Sequence, residues 1–297
     1  MKTIAIGIDL GATRIKAVAI DDEGKLLHSH YEPTNDGDDA VWKGAVKKAV
    51  VEMQEKFDNQ DVVVGISAPG LPNETNTAIA FMPGRLQGLE YFAWSDYLGV
   101  KTFVLNDAIS AMLAEARFGA AKGGRNVVML TLGTGVGGAI LIEGKPYQGS
   151  FRKAGHIGHI TVDSAGEPDI TGMPGSLEDA IGNCTIEKRT LGRFHSTEQL
   201  VEAHRKGDFF ATEVWLTSIR KLAAGLASIT NVLSPETIIL GGGITEAGDD
   251  LFRPLEAYMD LFEWRAGGNK AAIVKAQYGD LAGATGAACF AKENVKQ

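Results

Sequence analysis

The chain has 297 residues, 44% of them hydrophobic and 22% charged, with a formal net charge of -8. That is enough for one large or two medium cores of ordinary globular composition, and the negative balance argues against partners held by counterion release from nucleic acid or by an anionic bilayer surface. Cys184 and Cys289 make no disulfide framework, the apolar stretches are too short to span a membrane, and Met1-Lys2-Thr3 leads into a strand without a secretory leader, so a cytoplasmic protein is expected.

Three apolar strands open the chain, over residues 3–9, 14–20 and 26–31. The first pair is joined by Asp9-Leu10-Gly11-Ala12-Thr13 and the second by Asp21-Asp22-Glu23-Gly24-Lys25. A helix follows over residues 38–57, with Val41, Trp42, Ala45, Val46, Ala49, Val50 and Met53 at helical spacing. Residues 62–66 read as a buried strand stopped by Ala68-Pro69-Gly70, and residues 71–99 as irregular. A strand over 102–105 then delivers Asn106-Asp107 to the start of a helix ending near Phe118, and the glycine-rich stretch 119–124 reads as a domain boundary.

The strand at 127–130 runs into Gly133-Thr134-Gly135-Val136-Gly137-Gly138, the apolar run 139–142 and the turn Glu143-Gly144-Lys145. Residues 143–185 are loop-rich. Helices are expected over 197–205 and 211–233, the latter stopped by Ser234-Pro235. A strand at 238–240 enters Gly241-Gly242-Gly243, followed by a helix over 249–262, a strand over 272–276 and a last helix from about Gly283. Strands and helices alternate behind a meander in each half, so the class is α/β.

The two glycine loops sit in the same strand-loop-strand-turn unit, which suggests two half-domains gripping one polyphosphate. Gly133 to Gly138 also matches the dinucleotide fingerprint, but that motif must open a helix, and here a hairpin follows. Backbone amides with the Thr131 and Thr134 hydroxyls would cradle phosphate oxygens, the plain alternative being a ligand-free hairpin. Asp9, beside Gly11 and Thr13, would hold Mg²⁺ directly or through water, with Lys16 or Arg14 neutralising developing charge; alternatively it caps its own turn. Asp107 would accept a proton from an attacking hydroxyl while Asn106 aligns the substrate, the alternative being a helix N-cap. Gly241, Gly242 and Gly243 would let an adenosine approach the backbone, or serve only as a strand-to-helix turn.

In this order the motifs resemble the ROK family of sugar kinases, within the actin-like ATPase (ribonuclease H-like) fold, over nearly the whole chain. Asp9 to Thr13 is similar to the family's first phosphate loop, Leu132 to Gly138 to its second, and Asn106-Asp107-Ala108 with Ala114-Glu115 to its sugar-binding segment. Gly70 and the stretch 282–288 also fit. The resemblance implies ATP and Mg²⁺, a hexose or amino-sugar hydroxyl as acceptor, Asp107 as general base, and Asn106, His159 and Glu178 on the sugar, with Gly70 and His156 beside them. Asp9, Gly11, Thr13, Lys16, Thr131, Gly133, Thr134, Gly135, Gly241, Gly242 and Gly243 would serve metal and nucleotide. Two similar α/β domains around a cleft are expected: a small one of residues 1–117 plus the returning helix 282–297, and a large one of 118–281. A homodimer is expected, without nucleic-acid or membrane partners.

Three departures from the family pattern point to the sugar side. His156, in Gly155-His156-Ile157-Gly158-His159, stands where a sugar-binding glutamate is usual, and an imidazole can donate where a carboxylate only accepts. Asp169, Thr171 and Ser176 replace the three cysteines of the family's zinc motif, so no structural zinc is expected, while Glu178 is retained; a mixed metal site of His159 and Asp169 is the alternative. Pro83-Gly84-Arg85-Leu86 replaces the usual proline-asparagine-leucine stretch, with Arg85 at the lost asparagine. Two other functions stay open: polyphosphate as donor, or a non-catalytic sugar sensor. Family repressors carry a helix-turn-helix ahead of the first loop, for which a strand beginning at Thr3 leaves no room.

Overall fold

The computed structural model describes residues 4–11, 13–21, 23–57, 62–82, 84 and 86–295, so Pro83 and Arg85 lie outside the described residues. Its contacts divide the chain into two compact units: Met1–Gly123 with Gln148–Lys153 and Gln277–Gln297, and Gly124–Tyr147 with Ala154–Ala276.

In the first unit, β1 (Ile4–Leu10), β2 (Arg14–Ile20) and β3 (Leu26–Pro33) form an antiparallel meander. Helix α1 (Asp39–Lys56) follows, its first turn capped by Asp38, whose carboxylate accepts from the Ala40 amide. β4 (Val62–Ala68) returns parallel to β1. Residues 71–99, expected to be irregular, contain the small hairpin β5 (Leu71–Pro72) and β6 (Ile79–Phe81) and one helical turn, α2 (Trp94–Leu98). β7 (Thr102–Asn106) completes a five-stranded sheet in the order β3-β2-β1-β4-β7, and leads into α3 (Asp107–Phe118).

The sheet's alternation sorts its two faces. Ile4, Ile6 and Ile8 of β1 pack with Trp42, Val46, Ala49, Val50 and Met53 of α1. Val41, expected on that face, is exposed, and Lys43 is buried instead, its ammonium 2.8 Å from Asp39 Oδ2 and 4.3 Å above the Phe92 ring. Ala5, Val18 and Val63 face the other way, onto Ala284, Ala288 and Ala291 of the chain's last helix, α9 (Ala282–Val295). That contact requires missing side chains. A Cβ on Gly7 would strike the Ala284 carbonyl, one on Gly65 the Ala287 carbonyl, and one on Gly286 the Ser110 carbonyl of α3.

The second unit repeats the plan. β8 (Val127–Leu132), β9 (Val136–Ile142) and β10 (Lys145–Pro146) form the meander. Within the stretch expected to be loop lie α4 (Leu177–Ile181) and, just beyond it, α5 (Ile186–Arg189). α6 (Thr197–Arg205) and α7 (Phe209–Leu233) begin at the side-chain caps Ser196 and Asp208. β11 (Thr237–Gly241), α8 (Asp249–Phe262) and β12 (Ala272–Lys275) complete a sheet ordered β10-β9-β8-β11-β12. Strand for strand this matches the first sheet: a three-strand meander, then two parallel strands. Its core joins the sheet to α7 through Trp215, Ile219, Leu222 and Leu226.

Candidate active site

The first unit gathers two carboxylates at the ends of β1 and β7, the strands on either side of β4. Asp9 closes β1 opposite Lys16 of β2 and beside Ser67 of β4. Ser67 Oγ donates to Asp9 Oδ1 at 2.7 Å. Lys16 Nζ lies 3.4 Å from Asp9 Oδ2 and 2.8 Å from Asp280 Oδ1, so its ammonium bridges the two acids. Burial raises the Asp9 pKa, offset in part by Lys16 and Ser67. Burial pulls the Lys16 ammonium down, but Asp280 and Asp9 outweigh it and its pKa is raised. Thr34, buried, braces the loop tip: its hydroxyl donates to the Gly11 carbonyl at 2.8 Å and its amide to the Thr13 carbonyl at 3.1 Å. Ser67, Asp280 and Thr34 were invisible as site residues because they converge from distant positions.

Asn106 is the cap of α3. Its Oδ1 accepts from the Ala108 amide at 3.0 Å, and its Nδ2 donates to the Gly70 carbonyl at 3.1 Å. Gly70 makes that approach with φ of 99°. Because Asn106 does the capping, Asp107 is the first helical residue, with one oxygen accepting from the Ala108 amide at 2.8 Å. Asp107 keeps solvent access, yet the protein around it displaces enough bulk water to raise its pKa to about 6, with the charge of Asp9 adding to the effect. A carboxylate poised near neutrality suits a general base. Glu115, grouped with the sugar segment by resemblance, is elsewhere: fully buried, its carboxylate accepts from the amides of Ala120, Gln277 and Tyr278 at 2.7–2.8 Å.

The second unit holds the glycine-rich loop between β8 and β9. Not all of its amides are available. Gly133 donates to the Gly135 carbonyl at 3.0 Å, and Val136 donates to Glu178 Oε2 at 2.8 Å. Among the described residues the Thr134 and Gly135 amides have no protein partner. Glu178, at the start of α4, packs so closely that a Cβ on Gly135 would meet it. The amides of Asn183 and Cys184 clamp the loop further by donating to the Gly133 and Thr134 carbonyls.

Beside the loop is a cavity of about 550 Å³, lined by Gly133, Thr134, Asn183, Thr197, Gly243 and Ile244 among others. Its size is in the range of small-molecule sites. Of the three glycines, Gly243 lines it; Gly241 pairs with Thr131 inside the sheet, and Gly242, at φ of 89°, lies against the backbone of Leu132. A second cavity of about 440 Å³, near Asp179, Arg189 and Lys221, contains none of the expected site residues.

His156 is exposed and precedes the helical turn Ile157–His159; burial by its surroundings and the neighbouring His159 lower its pKa. His159 Nδ1 lies 3.0 Å from Asp169 Oδ2. Among the described residues the region brings together only His159 and Asp169, two of the four ligands of a structural zinc, with no thiolate beside them. Thr171 gives its hydroxyl to Asp169, and Ser176 uses its own as the cap of α4. Among the described residues, three potential metal ligands come together only at His30, Glu32 and Glu52, where Lys48 Nζ already sits 2.6 Å from Glu32 Oε1.

Two like-ordered sheets, each led by a hairpin with a glycine-bearing loop, define a protein of the actin-like ATPase fold. The chain belongs to the ROK family, whose profile matches residues 5–294. A glucokinase from Streptomyces coelicolor is 31% identical over 98% of each chain. The ROK hexokinase from Thermus thermophilus superposes with a TM-score of 0.90 at 28% identity, over 100% of this chain and 99% of that one. The ROK glucokinase from Streptomyces griseus, solved in complex with glucose and AMPPNP, gives 0.77 at 28% identity, over 98% and 100%.

Proposed function

We propose that the chain transfers the terminal phosphoryl group of ATP to a hydroxyl of a hexose or amino sugar. The enzyme class is a carbohydrate kinase. The observation that carries the donor assignment is the cavity of about 550 Å³ contiguous with Gly133 and Thr134, room for a nucleoside that polyphosphate would not need. A solved relative accommodates AMPPNP and glucose together.

On this reading Asp107 takes the proton from the attacking hydroxyl, Asn106 and Gly70 orient the sugar, and His159, Glu178 and His156 bind its other hydroxyls. The free amides of Thr134 and Gly135, with the Thr131 and Thr134 hydroxyls, hold phosphate oxygens, and Gly243 flanks the nucleoside, with Gly241 and Gly242 shaping the turn behind it. Gly11 and Thr13 form the first loop. Asp9 would hold Mg²⁺, directly or through water; its carboxylate supplies the oxygen donors a hard cation takes, against the opposing charge of Lys16. When bound, that ion neutralises charge on the transferring phosphate. Lys16, tied to Asp9 and Asp280, fixes the carboxylate more than it meets phosphate. The reading includes a homodimer in the cytoplasm, with the two units as small and large domains; no helix among the described residues is long and apolar enough to cross a membrane.

A coupled ADP-release screen over hexoses, amino sugars and N-acetyl sugars, run in parallel with polyphosphate, tests it. Sugar-dependent ADP release is expected. Sugar binding without consumption of either donor would make the protein a sensor, and turnover with polyphosphate alone would overturn the nucleotide assignment.

A further inference from the structure

We infer that Asp169 is a positioning residue for His159, and that its buried carboxylate organises the sugar-facing loop in the place of a metal. The inference rests on the sugar-kinase reading only in taking His159 to face the sugar; the pairing itself is independent of it.

The Asp169 side chain has no exposed surface. Its Oδ1 accepts from the Thr171 amide and hydroxyl, both at 2.7 Å, and from the Met173 amide at 3.0 Å. Its backbone continues the pattern: the Asp169 amide donates to the Met173 carbonyl and the Gly172 amide to the Asp169 carbonyl, both at 2.9 Å. One carboxylate thus ties the tip 169–173, and bridges between Pro168 and Pro174 and between Thr161 and Ser176 carry the order back to α4. Oδ2 is left for His159.

Burial alone would push this carboxyl up, but Thr171, His159 and the Met173 amide prevail and hold its pKa well below the ordinary carboxylate range. With three donors converging on Oδ1, Asp169 is held as a carboxylate, which can only accept. The proton between Oδ2 and Nδ1 then belongs to the imidazole. That fixes the tautomer: in its neutral form His159 carries hydrogen on Nδ1 and presents Nε2 as an acceptor, on a side chain that keeps 31% of its surface accessible. A histidine so held reads a sugar hydroxyl as a donor. Second partners commonly set the tautomer of metal-bound histidines; here the carboxylate does so without the metal.

The test is Asp169→Asn, an isostere. Its amide can donate to Nδ1 and so favours the opposite tautomer, with hydrogen on Nε2. Nitrogen-15 imidazole spectra of the parent protein should show His159 protonated at Nδ1, and of the variant at Nε2; a parent protonated at Nε2 overturns the proposal. Kinetically, Asp169→Asn should raise the sugar KM tenfold or more and leave the ATP KM within twofold. Combined with His159→Ala it should add nothing beyond His159→Ala alone, whereas multiplied penalties would mean a merely structural role and overturn it. Prolonged dialysis against a strong chelator should leave the melting temperature unchanged; loss of stoichiometric zinc with a fall in melting temperature overturns it. If the parent phosphorylates no sugar, the kinase reading fails, and the imidazole spectra still decide the pairing.

Discussion

Ser67 and Asp9 are register partners on adjacent parallel strands, and the Ser67 hydroxyl donates to Asp9 Oδ1 at 2.7 Å. The bond favours the ionised form of a carboxyl that burial pushes toward neutrality. Ser67→Ala should raise the Asp9 pKa further and weaken its hold on a cation. A hydrogen bond to a charged group contributes roughly 1.5–3 kcal/mol, so the Mg²⁺ concentration for half-maximal rate should rise on the order of tenfold. Initial rates across a Mg²⁺ titration at fixed ATP check this; an unchanged curve removes Asp9 from the metal site.

Asp107 should set the acid limb of the rate profile. Its pKa is raised to about 6, and only the deprotonated form accepts a proton, so kcat/KM should fall as pH drops through that value. Asp107→Asn should abolish that limb, lower kcat roughly 10²–10⁴-fold, and leave thermal unfolding nearly unchanged. Parent-like turnover in the variant would transfer the base role elsewhere.

Glu115 should matter for stability and not for sugar affinity. Three backbone amides point at its buried carboxylate. Glu115→Ala leaves them unpaired at about 1–3 kcal/mol each, so a loss above about 3 kcal/mol is expected in urea denaturation, with the sugar KM unchanged in whatever folded protein can be assayed.

Two glycine-to-alanine changes in the first unit should have opposite signs. At Gly65 the new methyl would strike the Ala287 carbonyl, and overpacking against backbone costs roughly 1–3 kcal/mol or more. At Gly44, inside α1, nothing lies within 4 Å, and helix propensity favours alanine by about 0.5–1 kcal/mol. Melting temperatures of both variants decide it.

Long periodic elements were legible before any coordinates: both hairpins, α1, α7 and the buried β4 follow alternation or helical spacing. The miniature elements were not. Two-residue strands such as Leu71–Pro72 and the five-residue α2 are too short to establish a period. Lys43 illustrates a different limit, since its burial depends on Phe92 and Asp39 arriving over its stem and ammonium. Within the site, Asn106 and Asp107 stood out because a strand exit places them together. Gly133, Thr134 and Gly243 stood out as glycine-loop residues, but Asn183 and Thr197, which line the same cavity, did not, because they come from separate segments whose local signals are only caps and turns. The Ser196 cap of α6 shows this: its sequence announces a helix start and says nothing of the cavity beside it.

Helix α9 closes one face of the first sheet, and it is made after every other described element. As the polypeptide leaves the ribosome, β1 and β4 are complete long before the fourteen residues that cover Gly7 and Gly65 exist. Until then the nascent sheet presents a bare surface of Ala5, Val18 and Val63. The second unit, complete by Ala276, has its whole sequence available earlier. The first unit is therefore sealed only after the second has been made, and loss of α9 would leave its opening strands uncapped.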